Sequence, residues 1–329
     1  MIQHLQVLYS QDFNPYFNLA LEEFLLNTLQ PDTMILYLWQ NEHTVVIGRN
    51  QNAWKECKVS ALEEDHGYLA RRLSGGGAVY HDLGNLNFTF ITNMEHYNIE
   101  RQSNVIIRAL GYEGVKAEKS GRNDLLVDGK KFSGNAYYQK HGNAYHHGTI
   151  LVDVDMGKMG QYLNVSATKL KSNGVDSVRS RVMNMKEVVP DLTIAKMKEL
   201  MVRALGDEYE LPVASLTLNT ADVQQIMKLT ETYQSNDWKF HKRIKSNLEI
   251  MDRFIWGDIH LEMELAGDEV KECMIYSDAM DIDFIAKLTE AIKNSPFQAK
   301  ALMQALEQLK HPFNAVMIDD VQRLILHNL

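Results

Sequence analysis

A helix is predicted close to the start of the chain, behind the dipeptide Asn14-Pro15. Asparagine is a preferred N-cap residue, and proline is favoured at the first helical position. The apolar side chains that follow have helical spacing and would cover one face, namely Phe17, Leu21, Phe24 and Leu25. The pattern therefore predicts an amphipathic helix that turns Glu22 and Glu23 toward solvent.

The rest of the chain alternates between short apolar runs and longer amphipathic stretches. The runs predict strands at residues 34–39, 44–47, 147–154, 253–256, 259–265 and 270–276. Amphipathic spacing predicts helices at residues 54–65, 104–110, 193–205, 283–293 and 299–310, and residues 158–173 read as helical or irregular. Asp128-Gly129 predicts a hairpin turn between residues 124–127 and 131–133. The polar, basic residues 235–247 read as a connection to a small C-terminal α+β module.

Composition narrows the class of protein. A chain of 329 residues that is 45% apolar has room for a large core and two domains. The net charge of −9 argues against nucleic-acid binding, which needs a concentrated basic face. No apolar run reaches the roughly 18–20 residues that span a bilayer. The two cysteines lie far apart in sequence, which favours neither a disulfide framework nor a zinc site. We therefore expect a soluble, cytoplasmic protein without a membrane partner.

The most distinctive segment is the glycine-rich stretch at residues 70–82. Three consecutive glycines, Gly75 to Gly77, allow the backbone to turn tightly and to approach a ligand closely. Arg71 and Arg72 place positive charge upstream, and arginine pairs well with phosphate or carboxylate. The segment lacks the Gly-Lys-Ser/Thr ending of a Walker A loop. A cradle for a nucleotide or acyl phosphate and a plain strand-turn-strand linker both remain open.

Four polar, glycine-containing segments share one chemical character: residues 71–85, 121–124, 130–134 and 146–149. Together they offer cations, a carboxylate, hydroxyls and flexible backbone, which suits stabilisation of phosphate charge with a carboxylate for Mg²⁺. Neither cysteine lies in any of them. Positioning and electrostatics are therefore favoured over a nucleophilic mechanism.

These segments, with several others, resemble the lipoate–protein ligases, which share a catalytic fold with the biotin–protein ligases. The matching motifs lie at residues 14–23, 44–49, 71–85, 120–124, 131–137, 146–151 and 177–182. The resemblance implies an α+β fold, with a mixed and largely antiparallel sheet flanked by helices and a small C-terminal α+β domain. It implies a catalytic domain at residues 1–243 and an accessory domain at residues 250–329.

The resemblance also implies a reaction in two steps. Lipoate attacks the α-phosphate of ATP, which gives lipoyl-AMP and pyrophosphate, and a lysine of a lipoyl domain then takes the lipoyl group and releases AMP. The cofactors are ATP and Mg²⁺. The expected acceptors are lipoyl domains of 2-oxoacid dehydrogenase E2 subunits and the glycine-cleavage H protein.

The site residues follow from the matched motifs. Lys131 is the implied catalytic residue, between the acyl carbonyl and the α-phosphate, and Asn123 and Asp124 hold phosphates and Mg²⁺. The lipoyl and phosphate site is lined by Arg72 and the backbone amides of Gly75, Gly76 and Gly77. His81 and His147 border the acyl pocket, and a loop at residues 180–182 closes over AMP. The remaining implied ligand-binding positions are Tyr80, Ser133, Gly134, Ala136, Gly148, Thr149, Ser180, Arg181 and Val182.

Rival interpretations remain at this stage. Lys131 could be a solvated hairpin lysine, Asp124 a turn former, and His81 a partner of a backbone carbonyl. A transferase of the same fold would take an octanoyl or lipoyl group from a thioester through a cysteine. Cys57 and Cys273 are expected instead to be packed in the core. A non-catalytic protein that binds acyl-adenylate is the third possibility.

Overall fold

The computed structural model describes residues 1–121, 123–164 and 182–329. The chain divides into two units, each with its own core. The first comprises Met1–Val46, Lys55–Arg71 and Ala78–Lys239. The second comprises Ile47–Trp54, Arg72–Gly77 and Phe240–Leu329. In the described residues no helix is both long enough and apolar enough to cross a membrane.

A mixed sheet is the scaffold of the first unit. Within the described residues it has eight strands, in the order β11-β1-β2-β6-β10-β9-β8-β7. Their bounds are β1 His4–Tyr9, β2 Thr33–Trp39, β6 Asn85–Asn93, β7 Ala117–Ser120, β8 Asp124–Val127, β9 Lys130–Lys140, β10 Asn143–Leu151 and β11 Val213–Ser215. The pairs β11-β1 and β1-β2 are parallel, and the remaining neighbours are antiparallel. A small sheet has the order β4-β3-β5, with β3 Thr44–Ile47, β4 Tyr68–Arg71 and β5 Val79–His81.

Helices cover both faces of the large sheet. The helices of this unit and its borders are α1 Pro15–Asn27, α2 Ala53–Glu56, α3 Val59–Glu64, α4 Ile99–Gly111, α5 Met156–Tyr162, α6 Ile194–Tyr209, α7 Thr220–Gln234 and α8 Asn236–Phe240. Apolar residues of α4 and α6 share a core with Phe88 and Phe90 of β6. Helix α1 contacts β6 and β10, and α7 packs on α1. Because side chains alternate along a strand, Thr89 of β6 faces α1 while its neighbours face α4 and α6.

The hairpin predicted at Asp128-Gly129 joins β8 to β9. Both residues have positive φ, 50° and 76°, which is the conformation that a two-residue type I′ turn requires. The register of the pair shifts by one residue beyond the turn, since Leu126 pairs with Lys131 but Leu125 pairs with Ser133. Such a bulge re-aims the side chains of its strand. Here it leaves Phe132 fully buried.

The C-terminal part of the second unit is an antiparallel sheet with helices packed on it. Its strands are β12 Leu248–Phe254, β13 Gly257–Ala266 and β14 Glu269–Tyr276, paired in chain order. Its helices are α9 Ile282–Lys293, α10 Ala299–Gln308 and α11 Ala315–Leu326. Apolar residues from all six elements form one core. The predicted α+β fold, with its mixed sheet and small C-terminal α+β module, is confirmed.

Several element predictions need correction. The helix expected at residues 54–65 is two short helices, α2 and α3, separated near Cys57. The strand expected at residues 147–154 is β10, Asn143–Leu151, and the polar connection contains the short helix α8. Helices α7 and α11 had no counterpart among the predicted elements. For residues 158–173, α5 covers Met156–Tyr162, and residues 165–173 lie outside the described part.

Candidate active site

Lys131 lies against the backbone of its own strand. Its Nζ is 2.7 Å from Oδ1 of Asp124, and about a third of the lysine side chain is exposed. A Cβ added to Gly134 would lie 2.9 Å from this Nζ and 3.0 Å from Cε, so the lysine occupies the space that a side chain would fill. The main chain behind it is also held, because the Lys131 carbonyl accepts from the Met183 amide at 2.9 Å. The structure thus brings Lys131, Asp124 and Gly134 together.

The other predicted residues of β9 and β10 divide between the two faces of the sheet. Gly148 pairs with Asn135, and His147 pairs with Ala136. The Gly134 amide donates to Thr149 Oγ1 at 3.3 Å. By alternation, Gly134, Ala136, His147 and Thr149 share one face, and Lys131 reaches across it. We call this surface the lysine face.

On the opposite face the packing is closed. A Cβ at Gly148 would lie 2.6 Å from the Gly134 carbonyl oxygen and 2.7 Å from Cζ of Phe88. Gly148 is therefore needed for close strand packing. Ser133 is fully buried, and its Oγ accepts from the Asn135 side chain at 3.4 Å. Asn123 is bound to the same asparagine, since its Nδ2 donates to the Asn135 carbonyl at 3.1 Å.

His147 belongs to a buried polar network on the lysine face. Its Nδ1 is 2.8 Å from Oε1 of Glu22, and the same oxygen accepts from Thr89 Oγ1 at 2.7 Å. The indole of Trp39 donates to that hydroxyl at 3.1 Å. His81 extends the network, because its ring lies edge-on to Trp39 with centroids 6.3 Å apart. The two histidines predicted to border one pocket are thus linked through Glu22, Thr89 and Trp39.

The prediction that Glu22 faces solvent is wrong. The spacing of the apolar residues in α1 predicted an exposed side chain, yet this side chain is only 1% exposed. Helix α1 is covered on one side by the sheet and on another by α7, so it has no fully solvated face at this position. The hydroxyl of Thr89 and the imidazole of His147 provide the partners that a buried carboxylate requires. Glu23, the other residue predicted to face solvent, is partly covered and contacts Lys140 and Tyr233.

Tyr80 is buried among aromatic rings. Its centroid lies 5.8 Å from that of Tyr162 and 6.1 Å from that of His43. Burial raises the pKa of its hydroxyl well above the ordinary value. Val182 pairs with Lys131 through a single parallel bridge. Ser180 and Arg181, with Arg122 of a matched motif, lie outside the described residues.

The two arginines of the glycine-rich segment make contacts that the sequence did not predict. Within the second unit, Arg72 Nη2 donates to the carbonyls of Gly75 at 2.7 Å and Gly77 at 2.8 Å. The guanidinium therefore holds the loop in its turn, with Gly76 at φ 86°. A Cβ at Gly75 would lie 2.2 Å from the Ala279 carbonyl oxygen, so the loop packs backbone to backbone there. In the first unit, Arg71 is fully buried and donates to the carbonyls of Trp238 and Lys239.

Both cysteines are packed in apolar surroundings, as predicted. Cys57 is 1% exposed and Cys273 4% exposed. Burial raises the pKa of each thiol to about 12. A thiol attacks as its thiolate, so neither side chain has the character of a catalytic nucleophile.

Comparison with known families gives two matches that together span most of the chain. Residues 14–206 match the lipoyl protein ligase A/B catalytic domain. Residues 244–325 match the bacterial lipoate protein ligase C-terminus. Among curated proteins, the lipoate-protein ligase A of Psychrobacter cryohalolentis is 39% identical, with 98% of each chain covered. That of Bdellovibrio bacteriovorus is 36% identical, with 100% of this chain and 99% of the relative covered.

Solved structures are similar over most of the chain or about three quarters of it. P. falciparum LipL1 in complex with lipoate has a TM-score of 0.87 at 29% identity, covering 98% of this chain and 99% of that one. The Thermoplasma acidophilum bipartite lipoate protein ligase, described with its E2 lipoyl domain, has a TM-score of 0.66 at 26% identity, covering 75% and 100%. A lipoate-protein ligase A bound with ATP has a TM-score of 0.64 at 25% identity, covering 73% and 99%.

Proposed function

Since this chain belongs to the lipoate–protein ligase family, we propose that its lysine face carries out the ATP-dependent attachment of lipoate to a lipoyl domain. The chain is a ligase that joins lipoate to protein. The observation that carries the assignment of the site is the position of Lys131. The ammonium of Lys131 lies over a glycine, 2.7 Å from a carboxylate, on a face that also presents His147 and Thr149.

In the first step a lipoate carboxylate oxygen attacks the α-phosphorus of ATP, and the bond to the pyrophosphate oxygen breaks. Negative charge develops on the phosphoryl oxygens in this transition state. A fixed cation at that place stabilises the charge without needing to reorganise. About a third of the Lys131 side chain is exposed beside Asp124, so its ammonium can meet the α-phosphate there, and the missing Cβ of Gly134 provides room for its Nζ.

In the second step the neutral ε-amine of the acceptor lysine attacks the carbonyl carbon of lipoyl-AMP. The carbon–oxygen bond to AMP breaks, an amide forms, and the amine releases a proton. Charge now develops on the carbonyl oxygen and on the departing phosphate. Lys131, between the two groups, would neutralise both, so one side chain acts in both steps.

The buried network around His147 is proposed as a wall of the acyl pocket. Its polar atoms satisfy one another, because Glu22 accepts from both His147 and Thr89. Aromatic rings pack beside it, including Tyr37 stacked on Trp39 with centroids 5.7 Å apart, and both rings are buried. An apolar chain binds best beside surface that needs no further hydrogen bonds. His81 and His147 therefore act by shaping this pocket.

The residues present fit a role for Mg²⁺. Mg²⁺ is commonly held by one or two carboxylates together with substrate phosphates and water. Asp124 provides one carboxylate. The described part of the chain also has two groups of three side chains that could bind a metal, and Asp124 belongs to neither. When bound, the ion would neutralise phosphate charge. Asp124 would hold it and would also keep Lys131 in place for the α-phosphate.

The protein partner is proposed to be a lipoyl domain of an E2 subunit or the glycine-cleavage H protein. The archaeal relative described with an E2 lipoyl domain supports the first of these. We also propose that residues 1–243 form the catalytic domain and residues 250–329 the accessory domain. Thioester transfer is disfavoured by the two buried thiols, whose pKa values are about 12.

Substitution of two adjacent lysines tests the assignment. Lys131→Ala removes the cation of the lysine face, whereas Lys130→Ala removes an exposed lysine of the same strand. The assay is lipoate-dependent exchange of labelled pyrophosphate into ATP, with melting temperature as the folding control. Lys131→Ala should lower exchange by at least about 100-fold, and Lys130→Ala should leave it near wild type. Exchange at the wild-type rate in Lys131→Ala would refute the role.

A further inference from the structure

A chain of buried polar side chains runs from helix α4 to the turn that carries Asp124. His146 is fully buried on the face opposite His147. Its Nε2 is 2.8 Å from Oδ1 of Asn135, and its Nδ1 is 3.2 Å from the side-chain amide of Gln102. Asn135 in turn contacts Asn123, the residue directly before Asp124. None of Gln102, Asn135 or His146 is among the residues that the matched motifs assigned to the ligand.

The hydrogen-bond partners determine the protonation of this imidazole. Asn135 Nδ2 donates to the Asn123 carbonyl at 3.0 Å and to Ser133 Oγ at 3.4 Å, so its Oδ1 must be the atom that faces the ring. His146 therefore carries its proton on Nε2. Burial, with a smaller contribution from His147, lowers the pKa of His146 to about 3. The ring is neutral at pH 7, and its Nδ1 accepts.

Gln102 completes the chain once its amide is oriented to match. An accepting Nδ1 requires the NH₂ group of Gln102 rather than its oxygen. In the described structure the Gln102 Nε2 has no hydrogen-bond partner, while Oε1 lies beside the ring. A half-turn of the amide places Nε2 against Nδ1 and satisfies both groups. The direction of donation is then continuous: Gln102 to His146, His146 to Asn135, and Asn135 to Asn123.

The last link is the strongest one. Three hydrogen bonds join Asn135 to Asn123: amide to carbonyl at 2.8 Å, Nδ2 to the same carbonyl at 3.0 Å, and Asn123 Nδ2 to the Asn135 carbonyl at 3.1 Å. On the other side of Asp124 the strand pairing is irregular, because the register shifts between Leu125 and Leu126. The ladder there is disrupted. The three bonds to Asn135, one of them from its side chain, compensate at the end of β8 that carries the carboxylate.

We propose that Asn135 and His146 are positioning residues, which hold the Asn123–Asp124 turn so that the Asp124 carboxylate places Lys131 for adenylate formation. The inference rests on the proposed role of Lys131. His146 orients Asn135 by donating one hydrogen bond of fixed direction, and Asn135 fixes the turn. Neither side chain touches substrate, since both lie on the face of the sheet opposite the lysine face.

The test compares four variants in lipoate-dependent pyrophosphate exchange, with kcat, KM and melting temperature measured for each. Asn135→Ala and His146→Phe break the chain at its centre. Asn143→Ala is the matched control. This asparagine lies on β10, and its side chain binds Asn93 of β6 and the Leu26 carbonyl of α1 rather than any member of the chain. Asn135→Asp keeps the size and the oxygen that faces His146 and removes only the side-chain donor to the Asn123 carbonyl, and it serves if the other two variants fail to fold.

Loss of positioning should lower kcat by about 10- to 100-fold, because displacement of a catalytic group by about 1 Å costs that much. The KM for lipoate should stay within about twofold of wild type, since lipoate contacts are kept. Asn143→Ala should lower the melting temperature and leave kcat unchanged.

Two results would overturn the proposal. One is a kcat within about twofold of wild type in Asn135→Ala, His146→Phe or Asn135→Asp, with only the melting temperature lowered. The other is a raised KM at unchanged kcat. A wild-type protein without any lipoate-dependent exchange would instead refute the proposed function, and this inference with it.

Discussion

Gly134 offers a perturbation of the lysine face that adds one methyl group and removes nothing. In Gly134→Ala the new Cβ lies 2.9 Å from Lys131 Nζ and 3.0 Å from Cε. Carbon atoms in contact prefer a separation of about 3.5–4.0 Å, so the lysine tip must move by about 0.5–1 Å. The obstacle is the end of a flexible side chain, and the fold can accommodate it. The gain of up to about 1 kcal/mol from replacing a strand glycine offsets the cost of this shift.

The catalytic consequence should be much larger than the change in stability. A shift of this size breaks the 2.7 Å contact with Asp124 and moves the charge away from the position proposed for the α-phosphate. Misplacement by about 1 Å costs about 100-fold in rate, equivalent to about 2.7 kcal/mol in the barrier. Gly134→Ala should therefore be a folded protein with a near-normal melting temperature and a kcat for pyrophosphate exchange about 100-fold below wild type.

Two other glycines make the comparison specific. Gly111→Ala, at the end of α4, adds the same methyl group where nothing lies within 4 Å, and it should keep the wild-type rate with a melting temperature at or slightly above wild type. Gly148→Ala forces the methyl group against the Gly134 carbonyl at 2.6 Å and Phe88 at 2.7 Å, so it should lose stability as well as activity. A Gly134→Ala protein with wild-type kcat would refute the reasoning, because Lys131 would then not need its present position.

Three further predictions address the thiols, pH and metal. The double variant Cys57→Ala/Cys273→Ala should keep its ligase rate in the intact-mass assay described below, because both thiols are buried with pKa values of about 12; an inactive but folded protein would point to thioester chemistry. The pKa of His146 is about 3 in the folded chain, against about 6.5 in an unfolded one, so the unfolded state binds the extra proton between these values. The contribution of His146 to the free energy of unfolding should be complete above pH ~6.5. It should be lost as the pH falls toward ~3, by at most about 1.4 kcal/mol per pH unit, and denaturant titrations of His146→Phe should lack this pH-dependent loss. Chelation of divalent cations should abolish pyrophosphate exchange without changing the melting temperature, and Asp124→Asn should need a higher Mg²⁺ concentration; a variant with the wild-type Mg²⁺ dependence would exclude Asp124 as a ligand.

The features that local sequence predicted well are those set by one segment alone. The hairpin at Asp128-Gly129 follows from two residues that tolerate positive φ, and the start of α1 follows from Asn14 and Pro15. The packed cysteines were predicted because each is isolated from the polar segments. In these cases nothing distant in the chain decides the outcome.

The features that the sequence did not reveal depend on what lies opposite a residue in space. Glu22 lies on an amphipathic helix. It is buried because α7 packs on this helix, and its buried carboxylate is satisfied by hydrogen bonds with Thr89 and His147. That layer was missed because α7 itself was not predicted, although Asn219 and Asp222 form a capping box at its start. Asn135 was similarly overlooked between the matched Gly134 and Ala136, because its role lies in contacts to a different strand.

Arg71 and Arg72 show the same limit for charged residues. Their sequence position beside three glycines favoured a pair of cations directed at a ligand. In the structure Arg71 donates to the carbonyls of α8, and Arg72 donates to those of its own loop. Five N–H groups on each guanidinium make arginine equally able to bind backbone oxygens, and sequence cannot distinguish the two uses.

The central claim is that this chain uses ATP to attach lipoate to a protein lysine. The measurement that tests it most directly is the intact mass of a purified apo lipoyl domain after incubation with the protein, lipoate, Mg²⁺ and ATP. A parallel reaction replaces ATP and lipoate with an acyl-carrier thioester. We predict that the acceptor gains one lipoyl group only in the reaction that contains ATP. A gain only from the thioester donor would contradict the account.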